Sequence, residues 1–372
     1  MPSAATQIPT RMKAAMYHGA HDIRIEEVDV PRPTAGQVLV KVIWCGICGS
    51  DLKEYKSGPV LCPSKDKPHA ITGCTLPVCL GHEFSGIVVE VGQDVTGDFA
   101  LGDRVVIEAV ISCGDCYACQ IGCNNACMSL GFVGLSGLGG GLSEYFASPE
   151  QYLHKLPDHV SLKSGAMCEP LAVAIHAVKR SGFRPGQSAL VLGAGPIGCF
   201  LTKVLIAQGA SQVIVSEPSS TRREKAAHAG AHHLFDPLST DIVSTVKSLT
   251  SNAGVHVAFE AAGNPAALKT GLEAVRTRGT VCNVSVWSRA PSVEMNTLVF
   301  GEKTITGSSC YVDDHPDVMK ALSSGLINLD DFVTATIPIE DLVQGGFEEL
   351  IHNNEQHVKI LVSPSSILEQ PF

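Results

Sequence analysis

The chain has 372 residues, 45% of them hydrophobic and 17% charged, with a formal net charge of −10. That length exceeds what one hydrophobic core ordinarily serves, so two domains are expected. An acidic balance without a Lys/Arg cluster argues against nucleic acid as a partner, and no apolar run approaches the roughly 18 residues of a membrane helix, so no membrane partner is expected either. The start of the chain is polar and lacks the apolar core of an export signal. Fourteen cysteines are then expected as reduced thiols in the cytoplasm, without disulfides.

Taken in chain order, short β-rich runs at residues 38–43, 86–91 and 103–108 are separated by Gly and Pro. They predict an antiparallel, barrel-like domain up to about residue 160. Inside it, Cys113, Cys116, Cys119 and Cys127 stand at CxxCxxCx7C spacing. Two-residue gaps let a short loop wrap a tetrahedral zinc while the longer gap brings in the fourth thiolate. Such a closed site has no open coordination position, so this zinc is expected to hold a loop rigid without touching substrate. Cys123 falls outside the frame.

From about Ser164 the pattern alternates: strands at 189–192, 213–216 and 255–257, helices at 197–208 and 221–229. Regular βα alternation predicts a doubly wound parallel sheet. Helices at 316–323 and 345–352 and a strand at 358–362 then suggest a return to the first domain. The expected fold class is therefore α/β with two domains: a β-barrel domain over 1–167, a coenzyme domain over 168–309, and a return to the first over 310–372.

Gly193-Ala194-Gly195-Pro196-Ile197-Gly198 follows an apolar strand directly and opens a helix, the context that gives a GxGxxG its meaning. Gly193 permits the tight turn, and Gly195 lets the backbone approach a pyrophosphate. Pro196 and Ile197 start the helix whose free N–H groups meet the phosphate charge, and Gly198 allows close helix–strand packing. Glu217, 19 residues past Gly198, can accept from both ribose hydroxyls and would repel a 2′-phosphate, which favours NAD over NADP. Arg222 and Arg223 keep phosphate binding open, while a simpler use of Arg222 is to lie over the adenine face.

Ile47-Cys48-Gly49-Ser50-Asp51, Gly81-His82-Glu83, the four-cysteine lobe, Glu169-Pro170-Leu171 and the glycine loop, in this order, resemble the zinc-dependent medium-chain dehydrogenase/reductase superfamily. Coverage runs from about Met12 to Val362. Segments 45–51, 58–77 and 346–351 resemble its butanediol dehydrogenase branch. The resemblance implies a GroES-like barrel around a Rossmann domain, with the active site in the cleft. It makes Cys48, His82 and Glu169 the ligands of a second, catalytic zinc, and leaves Cys45 as a packing thiol. Thiolate, imidazole and carboxylate leave one tetrahedral position for an alcohol or carbonyl oxygen, whose alkoxide form the metal charge stabilises before hydride moves to the nicotinamide.

By the same resemblance Asp51 orients His82 and Ser50 passes the substrate proton outward, while Glu83, beside that ligand, is placed to exchange onto the metal during turnover. Val284 and the strand ends near 259–263 lie beside the nicotinamide, Lys359 approaches the pyrophosphate, and Tyr55 and Phe132 match wall positions of the pocket. Lys53 departs from the pattern, standing where many relatives carry the last histidine of the proton relay; an exposed lysine stays charged at neutral pH and the relay then runs through water.

The implied activity is reversible NAD-linked oxidation of a secondary alcohol, with a vicinal diol such as 2,3-butanediol, or acetoin in reverse, as substrate class. Sorbitol-, xylitol- or threonine-type substrates are alternatives, as are a biosynthetic step on a larger secondary metabolite and a non-catalytic protein retaining the scaffold. Relatives associate as dimers or tetramers through an edge strand of the Rossmann sheet, which residues 304–308 match.

Overall fold

The structure is a computed structural model that describes residues 8–287 and 289–365. Its described residues divide into two compact units, the first comprising 8–169 together with 333–354 and 359–365, the second 170–332 with 355–358.

In the first unit a sheet runs in the order Leu153–Lys155, Arg104–Ile107, Glu83–Val91, Gln37–Gly46, Lys359–Ser363 and Val333–Pro338, and Tyr145–Pro149 also pairs with Gln37–Gly46. A smaller sheet places Arg11–Gly19 between Asp22–Asp29 and Val78–Cys79. Tyr17, Val40, Phe84, Ile107, Phe146, Phe347 and Ile360 meet in one apolar core, so a strand from the chain's end shares a core with strands from its start. Every residue of Lys359–Ser363 is buried, which explains why this strand carries an unbroken apolar run after its lysine.

The second unit is a six-stranded parallel sheet in the order His233–Phe235, Gln212–Ser216, Ser188–Leu192, Val255–Glu260, Val275–Asn283 and Thr304–Gly307. Ser188–Leu192 is buried throughout because helices cover both faces of a parallel sheet. Pro265–Ala274 packs Leu268 and Leu272 onto Leu190, Ala258 and Val281. Strand order reverses between Ser188–Leu192 and Val255–Glu260, the topological switch point where such sheets bind ligands at their carboxyl ends.

The return to the first unit, expected near 310, comes at 333. Helix His315–Ser323 stays in the second unit because the Asp314 carboxylate before it is held by His176 and Lys179, while Phe332 sets its ring edge-on to Phe200. The helix expected over 345–352 begins earlier, as wider π-type turns over Leu342–Glu348 that continue into Glu349–His352. No helix among the described residues is long and apolar enough to cross a membrane.

Candidate metal centres and dinucleotide loop

The cysteine lobe is built on a short helical turn, Tyr117–Gln120, and a 3-10 turn, Asn124–Ala126. Its sulfurs lie 3.9 Å (Cys113 to Cys119), 3.6 Å (Cys116 to Cys119), 3.9 Å (Cys116 to Cys127) and 3.5 Å (Cys127 to Cys113) apart. A tetrahedron with zinc–sulfur bonds of about 2.3 Å has edges of about 3.8 Å, so the four atoms stand where that ion needs them. Backbone N–H groups of Cys113 and Ser129 donate to Cys127 Sγ, and that of Cys116 to Cys113 Sγ, as suits thiolate charge. Amides of Met128 and Cys119 draw the Cys116 thiol down to about 6. All fourteen cysteines are free of disulfides.

The second cluster lies in the same unit. Cys48 precedes helix Gly49–Ser57, and Asp51 reaches back so that its Oδ2 accepts from the Cys48 amide at 2.9 Å. His82 and Glu83 enter from the start of strand Glu83–Val91. One atom each of Cys48, His82 and Glu83 lie within 4.8 Å of one another. His82 Nε2 is 3.1 Å from Ser50 Oγ, while Nδ1 is turned toward Asp51 Oδ1 at 3.5 Å. Neither of those last two atoms has a hydrogen-bond partner among the described residues. Burial opposes charge on the imidazole, but Asp51 and then Cys48 outweigh it and push its pKa well above the ordinary value. A buried, electron-rich set of sulfur, nitrogen and oxygen donors of this kind fits a divalent zinc ion.

Glu169 is buried at the start of helix Cys168–Ser181; its charge acts on Lys359, yet its carboxylate lies outside the tight cluster formed by the other three side chains. Lys359 is placed differently from the expected approach to a pyrophosphate. Its ammonium is 2% exposed, 2.6 Å from Glu83 Oε2 and 3.2 Å from the Ile47 carbonyl. Burial works against its charge, and Glu83 followed by Cys48 more than compensates, holding it above the usual lysine range. The reason is topological: the strand that carries Lys359 pairs with Gln37–Gly46 in the middle of the sheet, so its first residue points into the cluster.

Two further placements were not legible in the motifs. Tyr55, matched to a pocket wall, is buried against Phe347 and donates its hydroxyl to Glu348 Oε1 at 2.6 Å. Glu54, fully buried, accepts from the Val60 and Cys62 amides and so ties the segment after helix Gly49–Ser57 to that helix. Cys45 lies in the core, where burial pushes its thiol pKa up.

In the second unit the glycine loop has the geometry its spacing implies. Gly193 has φ of +99°, a Cβ on Gly198 would come within 2.0 Å of the Gly193 carbonyl oxygen, and a Cβ on Gly195 would meet nothing within 4 Å. The first two positions therefore require glycine for the chain's own packing, whereas the space at Gly195 is open. Pro196 and Ile197 open helix Pro196–Ala207. Glu217 is buried, and its oxygens accept from the Ala194 amide at 2.7 Å and the Ser219 amide at 3.0 Å. It thus ties the loop to the neighbouring strand. Arg222 lies in helix Ser220–His228, which starts just beyond, and Arg223 donates to the Glu217 and Pro218 carbonyls. The Val284 amide donates to the Glu260 carbonyl at 3.0 Å at the far side of the switch point.

Comparison with known proteins agrees with both units. Residues 34–158 match the family described as alcohol dehydrogenase GroES-like domain, and residues 196–324 match zinc-binding dehydrogenase. The chain is 42% identical over 355 residues to (R,R)-butanediol dehydrogenase of Neisseria gonorrhoeae, covering 95% of this chain and 100% of that protein. It superposes on the crystal structure of 2R,3R-butanediol dehydrogenase from Bacillus subtilis with a TM-score of 0.89 at 42% identity, over 95% of this chain and 100% of that one. A putative zinc-binding dehydrogenase from Sinorhizobium meliloti bound to NADP is similar at 32% identity and a TM-score of 0.86, over 96% of this chain and 100% of that one.

Proposed function

From the membership of this chain in the zinc-dependent medium-chain dehydrogenase/reductase superfamily, which makes it a zinc-dependent, nicotinamide-linked oxidoreductase of alcohols, we propose that its substrate is a vicinal diol of the 2,3-butanediol class, or the matching hydroxyketone in reverse. The observation that carries this reading is the Cys48, His82 and Glu83 cluster, packed within 4.8 Å in a chain similar over nearly its whole length to diol dehydrogenases.

Bound zinc supplies Lewis acidity toward the substrate oxygen, and NAD supplies the hydride acceptor. Cys48 and His82 would hold the catalytic ion with Glu169 as the third ligand that the resemblance implies, while Glu83, whose Oε2 accepts from Lys359, stands closer and has its other oxygen left to exchange onto the ion. Cys113, Cys116, Cys119 and Cys127 hold a structural zinc, giving two ions per chain. Asp51 fixes the orientation of the His82 ring through its Nδ1 side. Ser50, with its hydroxyl on the Nε2 side of His82, moves the substrate proton outward. Lys53 carries no imidazole, so the proton leaves by way of water. Glu83 and Lys359 form a buried, oppositely charged pair that holds charge beside the ligands.

Glu217 favours NAD: its two oxygens each keep a lone pair for a ribose hydroxyl, and a 2′-phosphate there would face a buried carboxylate. A tetrathiolate lobe needs reduced cysteines, which supports a cytoplasmic site of action. The test is metal analysis of the purified protein joined to a substrate panel with NAD and NADP. The reading expects two zinc ions per chain and a kcat/KM with NAD and 2,3-butanediol at least about tenfold above that with sorbitol or threonine. Turnover of sorbitol or threonine in preference would reassign the substrate. No turnover of any of the three would point to a larger alcohol.

A further inference from the structure

Strand Val255–Glu260 ends at the switch point of the second unit's sheet, paired with Leu192 just before the glycine loop. Its last residue, Glu260, is 0% exposed. One carboxylate oxygen, Oε1, accepts from the amides of Ala262 at 3.0 Å and Asn264 at 3.3 Å. Those amides belong to the loop leaving the strand, so the carboxylate lies past the strand end, level with the loops, and not back along the sheet. The other oxygen, Oε2, has no hydrogen-bond partner among the described residues.

A buried carboxylate oxygen without a donor costs free energy in the folded chain, and such an atom is tolerated where a ligand completes it. Its surroundings point to which ligand. The loop that Glu260 braces is the one behind Gly193, whose Cβ would lie 3.2 Å from the Ala261 carbonyl oxygen and 3.2 Å from Ala262 Cβ. Ser285 closes the other side, donating to the Glu260 carbonyl at 3.2 Å and accepting from the Gly263 amide at 3.0 Å. Glu217, at the end of Gln212–Ser216, lies on the opposite side of the glycine loop in strand order. A dinucleotide lying across the switch point with its adenosine at Glu217 brings its other half over the strand that ends in Glu260.

We propose that Glu260 is a cofactor-binding residue, its Oε2 accepting a hydrogen bond from a donor on the nicotinamide-riboside half of the dinucleotide. This rests on the dinucleotide reading of the glycine loop. The donor is a ribose hydroxyl or the carboxamide NH2, and the choice of ligands below separates them.

The variant is Glu260→Gln. Its side-chain carbonyl keeps the Ala262 and Asn264 amides satisfied, so the loop stays braced, while an NH2 replaces the free acceptor and faces the ligand's donor. Dissociation constants of ADP, ADP-ribose and NADH are measured by calorimetry on the wild type and the variant. Weakening of both ADP-ribose and NADH by about 10- to 100-fold with ADP unchanged assigns the bond to a ribose hydroxyl. The same loss for NADH alone assigns it to the carboxamide. Equal weakening of all three ligands, which a merely structural role gives, overturns the proposal, as does unchanged binding of all three. Failure of the wild type to bind any of them would sink the dinucleotide reading itself, a result distinct from any seen only in the variant.

Discussion

At the level of single residues, the two ligand sets make separable demands. On the proposed two-zinc reading, Cys48→Ala should reduce the zinc content from two ions to one per chain and abolish measurable turnover, while the thermal midpoint moves little, because the four lobe cysteines are left to hold their ion. Atomic emission on dialysed protein reads the first effect. Ser50→Ala is expected to keep both ions and lower kcat by about 100- to 1,000-fold with KM little changed, as removal of a proton-transfer group does. Asp314 offers a stability test away from the metals. Burial opposes its ionisation, but His176, then Lys179 and the Val312 amide, outweigh it and hold the carboxyl below its ordinary value of 3.8. A depressed folded-state pKa contributes stability above the unfolded value and loses it as pH falls through the folded one. Wild-type protein should therefore lose stability on acidification below about pH 4. Asp314→Asn should start about 3 kcal/mol lower at neutral pH and show a shallower acid slope in denaturant titrations. Cys48, His82 and the lobe cysteines were legible because short motifs name them. The Glu83–Lys359 pair was not: its members are 276 positions apart, and only the pairing of a late strand into the first unit's sheet brings them together.

At the level of elements, the glycine loop separates packing from binding in a way two variants can read. Gly198→Ala forces a methyl against the Gly193 carbonyl, at 2.0 Å in the present backbone. It should destabilise the second unit by about 1 to 3 kcal/mol and weaken NADH as a consequence. Gly195→Ala meets no protein atom within 4 Å, so its melting temperature should stay near that of wild type while NADH binding falls at least about tenfold, the methyl standing where the pyrophosphate approaches. Calorimetry of unfolding and of binding on the same two variants gives the comparison. If both variants bound NADH like wild type, the loop would not be the phosphate site. The βα alternation was legible for a physical reason: strands covered on both faces, such as Ser188–Leu192, are continuous apolar runs bounded by Gly. The π turns over Leu342–Glu348 were not, since their polar and apolar positions read equally as an ordinary helix.

At the level of the whole molecule, the second unit's sheet ends on Thr304–Gly307, a strand with one neighbour and an unpaired outer edge among the described residues. Ile305 on that strand is 39% exposed, and helix Met295–Gly301 beside it leaves Met295, Val299 and Phe300 at 60%, 64% and 85% exposure while Leu298 packs inward. An open strand edge next to this much apolar surface is a liability in a lone chain and an interface in a paired one. A two-fold axis through the edge lets each copy cover the other with the same residues, joining two six-stranded sheets into one. The resemblance pointed to residues 304–308, but nothing in the residue spacing revealed an interface, because a four-residue strand is too short to show one face. The protein is therefore expected to sediment as a dimer or tetramer at micromolar concentration. Ile305→Lys, which sets two like charges against each other across the axis, should shift it toward monomer without lowering the zinc content, since all the proposed ligands lie in the other unit. A wild-type protein that sediments as a monomer under the same conditions, or an Ile305→Lys variant that stays fully associated, would place the contact elsewhere on the surface.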